Sequence, residues 1–374
     1  MGQLAAAMLR RCCAGLIGAA LLAACGGPAR PGPITGVVSG APASIDDGWT
    51  LSTLAAEGFD VAAITALSAR IAGGQYGQVD GLVVARDGKL CFDGYFNGTP
   101  YDVHEMQSVT KSVTSALIGA AIARGAITSP QQPVGALLPA FAAAAAADPA
   151  KNAIRLEHLL TMSSGLDWDE TTIPNGDSRN TLTQMNASAD WEAFVLGRRA
   201  TEPPGARFNY NSGGVILLGA VLRATTGQDV AAFSAEALFS PMGIRDARWS
   251  RNPSRPEQVH TGGGLSLRAR DAAKFGQLYL DEGIWAGQRL LPVNWIREST
   301  QPRIGAWDGA QYGFLWWLRM AAGGRPVVEG WGTRGQHVFV VPPLRLVVVV
   351  TASDNRIDAG RQILDGVIAA AAGR

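Results

Sequence analysis

Strongly apolar strand patterns lie towards both ends of the chain, and predicted helices fill much of the region between them. Near the C-terminus, residues 346–350 are continuously apolar, which is typical of a strand covered on both faces. Near the N-terminus, residues 82–85 and 90–92 flank Asp87-Gly88, a pair that favours a tight hairpin turn. The pattern predicts an α/β (α+β) domain with a central antiparallel sheet formed by N- and C-terminal strands, flanked by helices, and a helical subdomain from the middle of the chain.

The composition predicts a large apolar core and excludes several classes of function. Hydrophobic residues make up 47% of the chain, and 32 Lys and Arg against 31 Asp and Glu give a net charge of +1. So small a net charge does not indicate a nucleic-acid partner. The 4 histidines are scattered without the spacing of a zinc site, so we expect no metal and no cofactor.

Residues 1–25 have the features of a bacterial targeting segment. Two arginines precede an apolar run over residues 12–24, which is too short for an ordinary transmembrane helix. The run leads into Leu-Ala-Ala-Cys at residues 22–25, which resembles the lipobox of bacterial lipoproteins. There the cysteine, here Cys25, is lipid-modified and becomes the first mature residue. An ordinary secretory signal and an uncleaved anchor are the alternatives.

The segment after Cys25 predicts a tether between a membrane and a folded domain. Residues 26–47 are rich in Gly, Pro, Ala and Ser, a composition typical of flexible linkers. We therefore expect a folded domain over residues 48–374, lipid-anchored in the bacterial cell envelope and facing the periplasm or the exterior. Cys91 would be the one cysteine left to the mature domain, which excludes a disulfide within one chain.

A serine and a lysine three residues apart open the helix predicted after the hairpin. Ser108 and Lys111 precede apolar residues at helical spacing, and positions three apart share a helix face, so the amine can reach the hydroxyl. The start of a helix also favours negative charge on an attacking oxygen. The alternative is a serine that only caps the helix. His104 is a second possible base, although a structural role at a strand end is the simpler interpretation.

Four motifs together resemble those of the serine β-lactamase and penicillin-binding protein superfamily, in its class C-like branch. In chain order they are Ser108-Val109-Thr110-Lys111, the Leu-Leu-Thr-Met-Ser-Ser-Gly-Leu segment at 159–166, Pro204-Gly205 followed by Phe208 and Tyr210, and a Gly-rich segment near the C-terminal strands. Finer details, such as Trp168-Asp169-Glu170, are similar to the 6-aminohexanoate-dimer hydrolase and esterase types. The resemblance implies a β-lactamase/transpeptidase-like fold.

The resemblance also implies roles for individual residues. Ser108 would be the nucleophile that forms an acyl-enzyme, Lys111 its base, and Tyr210 the group that completes the proton relay. Without the family, a tyrosine packed on the core is the more ordinary interpretation of Tyr210. The oxyanion hole would use the Ser108 N–H and a second N–H, from Thr333 or Arg334.

The chain departs from the lactam-cleaving pattern at two motifs. Trp331-Gly332-Thr333 stands where those enzymes have Lys-Thr-Gly, although Arg334 could supply a positive charge, and Ser212 replaces an asparagine. Both changes disfavour a penicillin-like substrate. Trp168, Trp316 and Trp331 are candidates for an apolar acyl pocket, with core packing as the alternative for each.

These observations predict a serine hydrolase that cleaves a small-molecule or peptide-like ester or amide. One alternative is β-lactamase or D,D-peptidase activity. The other is a non-catalytic lipoprotein that binds peptidoglycan or a partner, because a single fold hosts many functions. No Gly-x-Ser-x-Gly elbow occurs in the chain, which disfavours a Ser-His-Asp hydrolase of the α/β type.

Overall fold

The computed structural model describes residues 40–354 and 359–371. The strands are β1 (Thr50–Leu51), β2 (Val79–Arg86), β3 (Lys89–Tyr95), β4 (Val103–Glu105), β5 (Arg248–Trp249), β6 (Leu265–Arg268), β7 (Ile284–Trp285), β8 (Gln288–Arg289), β9 (Ile304–Gly305), β10 (Gln311–Tyr312), β11 (Trp317–Ala321), β12 (Arg325–Gly332), β13 (Gln336–Val341) and β14 (Leu346–Ala352). The helices are α1 (Val61–Ala72), α2 (Val109–Ala123), α3 (Val134–Leu137), α4 (Pro139–Ala147), α5 (Leu156–Leu160), α6 (Thr181–Ala187), α7 (Trp191–Leu196), α8 (Ser212–Thr226), α9 (Val230–Ser234), α10 (Ala269–Leu280), α11 (Val293–Ser299) and α12 (Ala359–Ala371). The predicted targeting segment, including Cys25, and most of the predicted tether lie outside the described residues.

The largest sheet in the described part of the chain joins strands from both ends of the sequence. Its nine strands run in the order β1-β3-β2-β14-β13-β12-β11-β10-β9, and all neighbours are antiparallel except β1 and β3. The N-terminal β2 pairs with the C-terminal β14, so that Leu82 lies opposite Val350. The turn between β2 and β3 places Asp87 and Gly88 at φ 49° and 77°, as the Asp-Gly pair predicts. The predicted fold class is confirmed.

Two apolar clusters cover the two faces of this sheet. On one face α1 and α12 pack over the strands, and on the other α2 and α10 do so. Helix α1 occupies its predicted range because Asp60 caps it, accepting from Ala63 N at 3.0 Å, and Ile64 and Leu67 point into the core. The middle of the chain adds the predicted helical region, in which α8 packs against α2, α5 and α7.

The folded domain reaches back to the last residues of the predicted tether. Arg270, 1% exposed, donates to the Ala43 carbonyl at 2.9 Å and to Asp47 at 3.4 Å. Residues 43–47 are therefore anchored to helix α10. Among residues 40–354 and 359–371, no single helix is long and apolar enough to cross a membrane; only α8 taken with Val230–Phe239 meets that test, across a bend of 80°.

Candidate active site

Ser108 lies at the N-terminus of α2, where its hydroxyl contacts a side chain instead of capping the helix. It occupies the N-cap position without making a side-chain capping hydrogen bond. Lys111 Nζ instead donates to Ser108 Oγ at 2.9 Å. Gln107, directly before it, has φ 49°, a conformation that is costly without glycine and that collects at functional sites. The local backbone thus presents the hydroxyl to Lys111.

Lys111 is buried in a position that favours its neutral form. Its side chain is 1% exposed, and Nζ also donates to the Gly262 carbonyl at 2.5 Å and lies 4.8 Å from the centre of the Tyr210 ring. Burial lowers the pKa of Lys111 to about 8, against the opposing effect of the Glu170 carboxylate. A substantial fraction of Lys111 is therefore neutral in mildly alkaline solution and can accept a proton.

Tyr210 reaches the same serine from a different part of the chain. Helix α8 begins after Asn211, whose side chain accepts from Gly214 N at 2.8 Å, and Tyr210 precedes this cap. The Tyr210 side chain interacts with the Ser108 hydroxyl, and its ring lies beside the Lys111 amine. Burial raises the pKa of Tyr210, and the charge of Glu170 raises it further, so the phenol keeps its proton. The structure therefore brings the three predicted catalytic side chains together.

Glu170 belongs to the site, although sequence reasoning did not select it. Its carboxylate accepts from Ser212 N and Ser212 Oγ, both at 2.8 Å, and from Trp168 Nε1 at 2.6 Å. Its charge raises the pKa of both Lys111 and Tyr210. The sequence signal that could have pointed to Glu170 was the Trp-Asp-Glu motif, because this motif lies in the long polar stretch that follows residues 159–166. Nothing local in that motif identifies the groups that the carboxylate would bind.

Glu170 accepts hydrogen bonds from two residues that were predicted to bind substrate, Ser212 and Trp168. Both the amide and the hydroxyl of Ser212 donate to it. Trp168 is 4% exposed, and its ring packs so closely on Gly213 that a Cβ there would lie 2.6 Å away. Trp316 is fully buried and stacks on Phe275 with ring centroids 5.6 Å apart. The Trp168 and Trp316 rings therefore support the site from within the core.

Strand β12 brings its backbone against Ser108. A Cβ on Gly332 would lie 3.0 Å from Ser108 N and 2.5 Å from a carbonyl oxygen of the preceding loop, so only glycine fits there. Thr333 follows, and its hydroxyl donates to Gln107 Oε1 at 3.2 Å. Arg334, one residue further, is exposed at φ 62°. Gly332 thus lies directly against the nucleophile amide, and Thr333 follows it in the chain.

A model of the Beta-lactamase family matches residues 62–373. The chain belongs to this family. The predicted superfamily is confirmed, and the protein is a serine hydrolase. It is 26% identical over 300 residues to the 6-aminohexanoate-dimer hydrolase of Paenarthrobacter ureafaciens, covering 73% of this chain and 72% of that protein.

Further relatives agree with the assignment to the beta-lactamase family. The esterase EstB of Burkholderia gladioli is 29% identical over 211 residues, which cover 54% of this chain and 52% of the esterase. The crystal structure of a D-stereospecific amidohydrolase from Streptomyces shares the fold with a TM-score of 0.62 and 19% identity, over 81% of this chain and 97% of that one.

In this beta-lactamase-family chain, Trp331 is held by a buried charge cluster. The Arg361 guanidinium lies 5.1 Å from the centre of the Trp331 ring, and Trp317 packs on the ring at 5.5 Å. Arg361 donates to Glu329 at 3.2 Å, and His337 Nδ1 lies 2.9 Å from the same carboxylate. Trp331 remains partly exposed, unlike Trp168 and Trp316, and is the one of these three predicted pocket residues that reaches the surface.

His104 and His260, one on a strand before Ser108 and one near Lys111, both have partners of their own. His104 lies on β4, with Nδ1 3.9 Å from Asp80, and burial lowers its pKa. His260 Nε2 lies 3.1 Å from Asn186 Oδ1. Burial, together with the charge of Lys111, lowers the pKa of His260 to about 4, so its imidazole is neutral. These contacts favour Lys111 over a histidine as the base.

Proposed function

We propose that this serine hydrolase cleaves small ester or amide substrates through an acyl-enzyme on Ser108. The observation that carries the proposal is the hydrogen bond from a buried lysine of lowered pKa to the Ser108 hydroxyl, with the Tyr210 side chain beside both groups. The names of the relatives support the class, since they include an esterase and an amidohydrolase.

The proposed acylation returns every group except Ser108 to its starting state. Ser108 Oγ attacks the carbonyl carbon while its proton passes to neutral Lys111. When the tetrahedral intermediate collapses, the bond to the leaving alcohol or amine breaks, and Tyr210 donates a proton to that group. Lys111 then returns its proton to Tyr210. A water molecule attacks the acyl-enzyme by the same relay and releases the acid.

The developing oxyanion needs two N–H donors, and we assign them to Ser108 and Thr333. The Ser108 amide lies at the positive end of α2. The Thr333 amide belongs to the peptide bond that follows Gly332. Gly332 itself packs against Ser108 N. Donors fixed in advance stabilise the transition state without the cost of reorganisation.

The lactam-cleaving and peptidase alternatives have less support from the site. Trp331 stands where the lactam-cleaving pattern has a lysine and packs on Trp317, and the polar groups of Ser212 are held by Glu170. Neither position offers a lysine or an amide side chain to a lactam. A panel of a p-nitrophenyl ester, a chromogenic cephalosporin, a D-Ala-D-Ala peptide and a linear aminohexanoate amide compares these substrate classes directly. We expect turnover of the ester or the linear amide.

Covalent labelling tests the nucleophile. We expect a fluorophosphonate probe to label the wild-type protein and not Ser108→Ala, because phosphonylation needs the activated hydroxyl. Ser68→Ala, on α1 at the opposite face of the sheet, is the control and should label normally. Equal labelling of Ser108→Ala would remove Ser108 as the nucleophile. Wild-type labelling without turnover of any panel substrate would favour the non-catalytic binding lipoprotein.

We also propose that the mature protein is lipid-anchored through Cys25 in the bacterial envelope. The support is the sequence pattern alone, an apolar run that ends in Leu-Ala-Ala-Cys and is followed by a Gly- and Pro-rich segment. Mass spectrometry of the protein purified from bacterial membranes should find acyl groups on an N-terminal Cys25, and Cys25→Ser should release it from the membrane. An unmodified N-terminus at another residue would contradict the anchor.

A further inference from the structure

An exposed tryptophan lies directly beside the Tyr210 ring. In the described ranges the exposed large apolar side chains are Tyr101, Trp307 and Met320, and Trp307 is 37% exposed. Its ring centroid is 5.4 Å from that of Tyr210 and 5.5 Å from that of Trp317, on which Tyr210 itself stacks at 6.0 Å. Trp307 is therefore the most exposed member of an aromatic group that includes a proposed catalytic side chain.

The protein holds the Trp307 ring in place before any substrate arrives. Its loop connects β9 to β10 and is closed by backbone hydrogen bonds from Ala306 N to Ala310 O at 2.8 Å and from Ala310 N to Trp307 O at 2.9 Å. Phe208 packs edge-on against the indole with centroids 5.4 Å apart. A rigid aromatic surface of this kind binds a planar group at a low cost in conformational entropy.

The proposed mechanism identifies the part of the substrate that meets this surface. Tyr210 donates its proton to the leaving group, so the leaving alcohol or amine lies on the Tyr210 side of the scissile bond. Trp307 borders Tyr210 on its exposed side. We propose that Trp307 is a specificity-determining residue that binds the leaving group and favours a neutral, planar apolar one such as a benzyl alcohol. This inference rests on the proposed roles of Ser108 and Tyr210.

The charges near the ring favour a neutral group over an ionic one. The Arg319 guanidinium lies over Trp317 at 5.2 Å, but it is paired with the buried Glu329 at 3.2 Å. The adjacent Asp308 also interacts electrostatically with Arg319. With these charges offset against each other, the surface offers mainly dispersion and ring stacking.

A leaving-group series tests the inference. We would measure kcat/KM for the ethyl, benzyl and choline esters of butyric acid, which share one acyl group. Wild-type protein should prefer the benzyl ester. Trp307→Ala should lower kcat/KM for the benzyl ester about 10-fold and for the ethyl ester less than about 2-fold, since one stacking contact and its buried area are lost. Trp307→Phe should retain part of the preference. Met320→Ala, which removes an exposed apolar side chain on β11, should leave both values unchanged.

Three results would overturn the inference. If Trp307→Ala lowered kcat/KM equally for the ethyl and benzyl esters, the indole would have a structural role only. A wild-type preference for the choline ester would show recognition of a cation. Ethyl acetate and ethyl hexanoate differ only in the acyl group. If Trp307→Ala changed the ratio of their kcat/KM values, the indole would lie on the acyl side of the scissile bond. If the wild-type protein hydrolysed neither these esters nor the linear aminohexanoate amide, that result would instead refute the proposed function itself.

Discussion

Replacing Lys111 with methionine is expected to slow acylation of Ser108 about 10³-fold, within the range that removal of a general base produces. Methionine keeps the apolar stem in a site that is almost closed to solvent, but it cannot accept the serine proton. The measurement is the rate of fluorophosphonate labelling at pH 8, with thermal unfolding to show that the variant is folded. Labelling at the wild-type rate would exclude Lys111 as the base.

The pH dependence provides a second check on Lys111. Because the base acts when neutral, acylation in the wild type should rise with pH through the lowered pKa of about 8. The Glu170 charge raises that pKa, so Glu170→Gln should move the rise to lower pH, even if its lost hydrogen bonds reduce the maximal rate. Asp167→Asn is the control, because its carboxylate pairs with Arg198. If Glu170→Gln left the pH dependence of acylation unchanged, the pKa of Lys111 would not be what determines that dependence.

Gly332→Ala is expected to lower kcat about 100-fold, the effect of losing one oxyanion donor. The new Cβ would lie 2.5 Å from the Met106 carbonyl oxygen and 3.0 Å from Ser108 N, so β12 must move away from the start of α2. That displacement would carry the Thr333 amide away from the reacting carbonyl. The same overpacking should cost about 1–3 kcal/mol in the free energy of unfolding.

Gly305→Ala is the matched control for this variant. Gly305 also lies in a strand of the same sheet, but its added Cβ would meet no atom within 4 Å. We expect wild-type kcat for it. Measurements at a temperature well below both unfolding midpoints separate the catalytic effect from the loss of stability. A Gly332→Ala variant with wild-type kcat would show that the Thr333 amide is not an oxyanion donor.

Part of the site was predictable because it depends on a single helical turn. Ser108 and Lys111 meet through the three-residue spacing of α2, whatever the rest of the chain does. The contact of Tyr210 with Ser108 was predictable only through the family resemblance, since it depends on how α8 packs against α2. Glu170 and Trp307 were not selected at all, because an acidic loop residue and a loop tryptophan have no distinguishing local pattern.

The three predicted pocket tryptophans show the same limit. Acidic residues flank Trp168 in the sequence, apolar residues flank Trp316, and glycines flank Trp331. In the structure Trp316 stacks in the core, Trp168 lies under Gly213 in spite of its acidic neighbours, and Trp331 remains partly exposed against Arg361. Their burial depends on which residues arrive from other elements. The sequence alone leaves a pocket role and core packing open for each, and only the packed structure separates them.

The sequence by itself determined the strands towards the two ends of the chain, the hairpin at Asp87-Gly88 and the pairing of Ser108 with Lys111. Each follows from local periodicity, turn chemistry or helical spacing. The tertiary structure alone decided that Glu170 holds Ser212, that Gly262 receives the Lys111 amine and that Gly332 lies against Ser108 N. These contacts join segments that are far apart in the chain, so they exist only once the strands and helices have packed.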